Sequence, residues 1–368
     1  MFVPVSEPLL SKEAKENVNV ALETDWISSS GPFVKEFEEK FAKKFGVNYA
    51  VAVANGTAAL HVALLALKIG PGDEVIVPAF TMAASWMAVM YTGAKPVFVD
   101  CTLDTYNIDV NKIEEKINKN TKAIMSVHIY GHPCKMDEIL EIASKYNLFV
   151  IEDAAEAHGA TYKEQYAGTF GNIGCFSFYA NKIITTGEGG MVVTNSDEIA
   201  QKCRKFKDLH HSEKRFVHDG LGYNYRMTNL QAAVGCGELE NLEKYIEKKS
   251  WMAEKYQNLL CEVNGIKLPT TLDHVKNVYW MYSILLDEEK IGMNRDAFRN
   301  SLKDGGIDTR DFFYAPEDQP VLKDIIGGQY FTNTKEISKN GLYLPSGLAI
   351  TEEQIHFVAK SIKEIIKK

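Results

Sequence analysis

Through the first two-thirds of the chain, short apolar runs rich in Val and Ile alternate with stretches whose apolar residues recur at helical spacing. The runs predict strands at 49–54, 74–78, 96–99, 123–127, 148–152, 173–178 and 190–194. The periodic stretches predict helices at 57–69, 83–91, 111–116 and 136–145. Strands apolar on both faces and separated by helices imply a largely parallel sheet covered on either side. Gly70-Pro71-Gly72-Asp73 fits this order, closing one helix and turning into the next strand. After about residue 231 the rhythm changes. A long charged helix at 230–260 leads to a strand at 277–285, a helix at 294–304, aromatic and Pro-containing loops, and a last helix at 352–366. The expected fold is α/β, with a mostly parallel seven-stranded sheet in residues 1–240 and a smaller α+β domain in 241–368.

Composition narrows the function classes. A chain of 368 residues exceeds what one hydrophobic core normally supports, which suits two units. Its net charge of -8 and scattered lysines argue against a nucleic-acid or anionic-membrane surface, because both need clustered cations. The N-terminus has no basic segment followed by an apolar one, so no signal peptide is expected. Nor does any apolar run reach bilayer-spanning length. Six cysteines, none closely paired at metal-ligand spacing, read as small buried hydrophobes of a reducing, cytoplasmic compartment, with no metal site.

Four segments carry candidate chemistry. Asn55-Gly56-Thr57 follows a strand and opens a helix, a turn that offers free N–H groups and a positive dipole end to a phosphate. An ordinary capped helix reads the same way. Glu152-Asp153-Ala154-Ala155-Glu156 stands at the carboxyl end of a buried strand, where open α/β sheets bind ligands. A carboxylate there could pair with a protonated ring nitrogen or merely cap a helix. Ser177 precedes Lys182 by five residues, ahead of the Gly187–Gly190 turn. A desolvated lysine at such a place suits Schiff-base chemistry, whereas an exposed loop lysine would be inert. Gly222-Tyr223-Asn224-Tyr225-Arg226-Met227-Thr228-Asn229, a polar and aromatic cluster, precedes the long helix, and Thr228 could serve simply as its N-cap.

In this order and at these intervals, the four segments resemble the DegT/DnrJ/StrS family of sugar aminotransferases, which have the aspartate-aminotransferase fold (fold type I). The resemblance runs from WISSSGPFVKEF at 26–37 to LPSGL at 344–348. It implies pyridoxal 5'-phosphate as cofactor, with Lys182 forming the Schiff base and moving the proton, and Asp153 pairing with the pyridinium nitrogen. Gly56, Thr57 and Ser177 would bind the phosphate, and Asn224 would reach the partner's site in a homodimer. Glu156 would lie near the 3-hydroxyl, where many relatives have Gln or His. Where many relatives stack an aromatic on the ring this chain has Met82, with Trp86 one turn on as the alternative and a core position as its expected fate. The dehydratase branch has histidine at the Lys182 position, so transamination is implied, with glutamate as donor and a nucleotide-linked keto-sugar as acceptor.

Segments 104–109 and 216–229 look most like the perosamine-forming group, which aminates C4 of a GDP-linked 4-keto-6-deoxymannose. His218 and Arg226 are the candidate sugar or diphosphate contacts, although Arg226 could equally pair with a carboxylate. Amination of a UDP- or dTDP-linked sugar remains open. Another chemistry on the same fold and a decayed scaffold are the remaining rivals. A desulfurase would need a reactive loop cysteine.

Overall fold

The computed structural model describes residues 1–214 and 216–367. Seven strands form the central sheet: β1 (Tyr49–Val53), β2 (Glu74–Pro78), β3 (Lys95–Val99), β4 (Thr121–Val127), β5 (Phe149–Asp153), β6 (Ile173–Ser177) and β7 (Gly190–Thr194). Their order is β1-β7-β6-β5-β4-β2-β3, and only β7 runs antiparallel to its neighbours. Almost every residue of β4 to β7 is buried, as expected for strands covered on both faces.

Helices α1 (Lys12–Glu23), α2 (Pro32–Phe45), α3 (Gly56–Ala66), α4 (Ala83–Tyr91), α5 (Met136–Tyr146) and α6 (Asp197–Lys207) precede the long helical region. Phe33, Phe37, Phe41 and Phe45 make one buried stripe on α2, with Phe41 edge-on to Phe176 of β6. Helix α3 is apolar nearly all round and buried to match, so its N-terminus is fixed against the sheet.

The fold agrees with the expected class and corrects several elements. The long helix is two helices, α7 (Asn229–Glu240) and α8 (Leu242–Leu260), broken at Asn241. Helix α7 lies so close to α1 that a Cβ on Gly237 would stand 2.2 Å from the Ala14 nitrogen. Asn241 then leaves helical geometry, with ψ at 3°, and ties back to Glu13 and the Gly237 carbonyl. The helix expected at 111–116 is two single 3₁₀ turns, Val110–Lys112 and Glu114–Lys116, the first capped by Asp109. The strand expected at 277–285 runs instead over Tyr282–Leu286, and Tyr279, within the expected range, sits in the left-handed region at φ 46°. Cys261 is exposed, unlike the other five free cysteines, because it follows the last turn of α8 at the surface.

A second sheet joins Ile266–Lys267, Tyr282–Leu286, Gly341–Leu344 and Arg310–Asp311 in that order. It packs with α8 and the final helix Glu352–Ile366 around a core of its own that includes Tyr256, Phe298 and Ile355. Val3 belongs to the same core and pairs with Ile307. Among the described residues no helix is long and apolar enough to cross a membrane.

Candidate active site

The carboxyl ends of β4 and β5, the N-terminus of α3 and the loop after β6 enclose a cavity of about 550 Å³. Gly56, Thr57, Met82, Asp153, Glu156, Ser177 and Lys182 all line it. Residues over 120 positions apart in sequence thus meet at one point, as strand ends of an open α/β sheet allow.

Each wall has a local cause. Asn55 caps α3, its side chain accepting from the Ala58 N–H at 2.8 Å and its carbonyl from the Ala59 N–H. The amides of Gly56 and Thr57 are the first-turn donors left over for an anion. Ser177 faces them across a gap in which only a glycine fits: a Cβ on Gly56 would lie 2.7 Å from the Ser177 Cβ. Asp153 ends β5 with its carboxylate fixed by the Ser85 hydroxyl at 2.8 Å and the Ala155 N–H at 3.2 Å. Burial pushes its carboxyl above the usual range, opposed by Ser85, Ala155 and the charge of Lys182.

Lys182 is no exposed loop lysine. Its side chain is 10% exposed, and its Nζ lies 3.9 Å from Glu156 and 3.7 Å from the centre of the Trp280 ring. Burial lowers the pKa of its amine, and Glu156 and Asp153 oppose that shift. Burial likewise pushes Glu156 up to about 7, while its carboxylate accepts the Tyr130 N–H at 2.7 Å. Tyr130 holds that amide in place from a left-handed conformation, φ 53°. Glu156 and Lys182 are therefore a buried acid and a buried base whose charges act on each other, burial raising the pKa of one and lowering that of the other.

Three sequence candidates lie outside the cavity of their own chain. Asn224 is exposed and accepts from Arg226 at 2.9 Å. Arg226 also pairs with Asp208 at 3.1 Å, the carboxylate pairing left open by the sequence. His218 binds the Leu209 carbonyl on an exposed excursion, its ring 4.5 Å from that of His211. Trp86 is in the core, 3% exposed, whereas Met82 is half exposed at the cavity wall. Sequence reasoning missed Ser85, Tyr130 and Trp280. Only Trp280 had a signal, the aromatic run Tyr279-Trp280-Met281-Tyr282.

The chain matches the DegT/DnrJ/EryC1/StrS aminotransferase family over residues 8–363. It belongs to that family. A GDP-perosamine synthase of Escherichia coli O157:H7 is 44% identical over 364 residues, covering 99% of this chain and 98% of that protein. Another, from Vibrio cholerae, is 39% identical over 367 residues, 98% of each. Among solved structures, the aminotransferase from Psychrobacter cryohalolentis superposes with a TM-score of 0.92 at 31% identity, covering 100% of this chain and 99% of that one. This member of the DegT/DnrJ/EryC1/StrS family is a pyridoxal-phosphate-dependent sugar aminotransferase. The cavity suits that cofactor, with an anion cradle at α3 and Ser177, a fixed carboxylate at Asp153 and a buried amine at Lys182. The buried Asn181 Oδ1, on the same wall, has no partner among the described residues.

Proposed function

We propose that the protein moves an amino group from glutamate to C4 of a GDP-linked 4-keto-6-deoxy sugar. The support is the near-full-length similarity to two GDP-perosamine synthases together with a cavity that gathers Lys182, Asp153, Gly56, Thr57 and Ser177. When bound, pyridoxal phosphate supplies a carbonyl for an amine to condense with and a ring that withdraws electrons from the reacting carbon. The chain's own groups do the rest. The first turn of α3 and Ser177 would hold the phosphate, and Asp153, braced by Ser85, would keep a ring nitrogen protonated. Lys182 would supply the amine that holds the cofactor covalently, burial lowering the pKa of that amine. Its Nζ would also be the group that moves a proton to and from the substrate carbon. Glu156 places its carboxyl 3.9 Å from that amine, where a negative charge would favour the protonated form. Trp280 closes one wall against water.

The sugar and nucleotide are tested by assaying the protein with glutamate and GDP-, UDP- and dTDP-linked 4-keto-6-deoxy sugars. The GDP sugar is expected to give the highest kcat/KM. A higher value for either other nucleotide rejects this substrate while leaving the aminotransferase intact.

A homodimer with shared sites belongs to the same reading, as do a sheet-bearing unit at 1–240 and a smaller one at 241–368. Val217 and Leu221 are 44% and 77% exposed, apolar surface that a partner subunit would cover. Asn224, exposed and not among the residues lining its own chain's cavity, would then serve the partner's phosphate cradle. Lys182→Ala and Asn224→Ala chains, each inactive alone, are expected to recover activity when mixed under subunit exchange, because one site per mixed dimer is then whole. No recovery despite proven exchange places Asn224 in its own chain's site.

A further inference from the structure

Lys249 projects from α8 into the interior and is 3% exposed. Its Nζ donates to the carbonyls of Trp280, at 2.8 Å, and Ser346. Among the described residues no carboxylate pairs with it, and burial pushes its amine down to about 7. A lysine is among the least suitable residues to bury without a partner charge, so its two carbonyl contacts need an explanation.

Both carbonyls belong to segments that reach Lys182. Trp280 sits on the loop bent at Tyr279, its indole N–H donating to the Asn181 carbonyl at 2.8 Å and its ring lying over the Lys182 amine. Ser346 lies on the loop after Gly341–Leu344. Among the described residues neither Trp280 nor Ser346 is in a strand; the Ser346 N–H donates to the Val5 carbonyl at 2.9 Å and its hydroxyl to the Met281 sulfur at 3.5 Å, and Lys249 bridges the two carbonyls. A small cavity beside Gly347 and Leu348 is lined by Asn181, Lys182 and Lys249, with Glu7 and Glu238 as the other charged groups facing it. Glu238 is buried, with one carboxylate oxygen unpartnered among the described residues.

We propose that Lys249 is a positioning residue: by clamping the Trp280 and Ser346 carbonyls, it holds the Trp280 indole against the Lys182 amine and keeps water from it. The proposal rests on Lys182 being the reactive amine. Burial lowers a lysine pKa by up to about 3–5 units, more than the roughly one unit that a facing ring restores. Loosening the wall therefore raises the pKa of Lys182.

The test uses cofactor-free protein, a lysine-acylating reagent and peptide mass spectrometry to read the pH midpoint of Lys182 labelling. Lys249→Met and Trp280→Ala are each expected to raise that midpoint by about half a unit or more, and the double variant to match Trp280→Ala alone. In the loaded enzyme, Lys249→Met should lower kcat about tenfold and change KM for glutamate and sugar less than about threefold. An unraised midpoint in a folded Lys249→Met protein, or additive effects in the double variant, overturns the proposal. Lys249→Gln, which keeps a shorter donor, carries the same test if Lys249→Met does not fold. Borohydride labelling of the wild type separately checks Lys182. Loss of that label would fail the site assignment and leave the midpoints readable.

Discussion

Lys182→Ala is expected to keep the cofactor but lose transamination by about four orders of magnitude or more, the upper range for removing a general acid–base group that is also the nucleophile. Retention follows from the separate location of the anchors. The anion cradle at Gly56, Thr57 and Ser177 and the carboxylate of Asp153 do not depend on Lys182 for their geometry: α3 is capped by Asn55, and Asp153 is held by Ser85 and Ala155. Folding should survive as well, since the variant removes an amine whose charged form burial disfavours. Glu156 would lose the cation 3.9 Å away, so its carboxyl should stay protonated to still higher pH. Borohydride should fix the cofactor to Lys182 in the wild type and to no lysine in the variant. Label on another lysine, or substantial turnover without Lys182, rejects the assignment.

The parts of the site legible in the sequence are those a single loop or strand end delivers. Asp153 and Glu156 are three residues apart at the end of one strand, and Ser177 and Lys182 flank one turn, so the chain itself puts each pair on a common rim. The sheet was legible for a similar reason: strands buried on both faces are unbroken apolar runs, and their boundaries shift by only a residue or two. Contacts created by tertiary packing left no such pattern. Ser85 reaches Asp153 from α4, 68 residues away, and Lys249 reaches Trp280 from α8. A serine and a lysine on helices look solvated until the neighbouring elements are in place. The break at Asn241 was hidden too, because the charged helical rhythm continues through it. At the break the Asn241 side chain donates to Glu13 of α1 and to the Gly237 carbonyl, contacts that only the packed helices reveal.

Asp153→Asn is expected to reduce turnover about a hundredfold to a thousandfold while the cofactor stays bound, since breaking a buried charge pair costs about 3–5 kcal/mol. The amide preserves shape and most local bonds. Its oxygen can still accept the Ala155 N–H now bound at 3.2 Å, and its NH₂ can donate to the Ser85 hydroxyl, which also contacts Thr81 at 2.8 Å. What it cannot supply is negative charge beside a ring nitrogen. A neutral donor at that place favours the unprotonated ring, which withdraws electrons poorly and leaves the substrate proton hard to remove. Glutamate half-reactions followed by stopped-flow absorbance measure the loss directly, and equilibrium dialysis measures retention of the cofactor. A folded Asp153→Asn protein with near-native turnover would reduce Asp153 to a structural acceptor for Ser85 and Ala155.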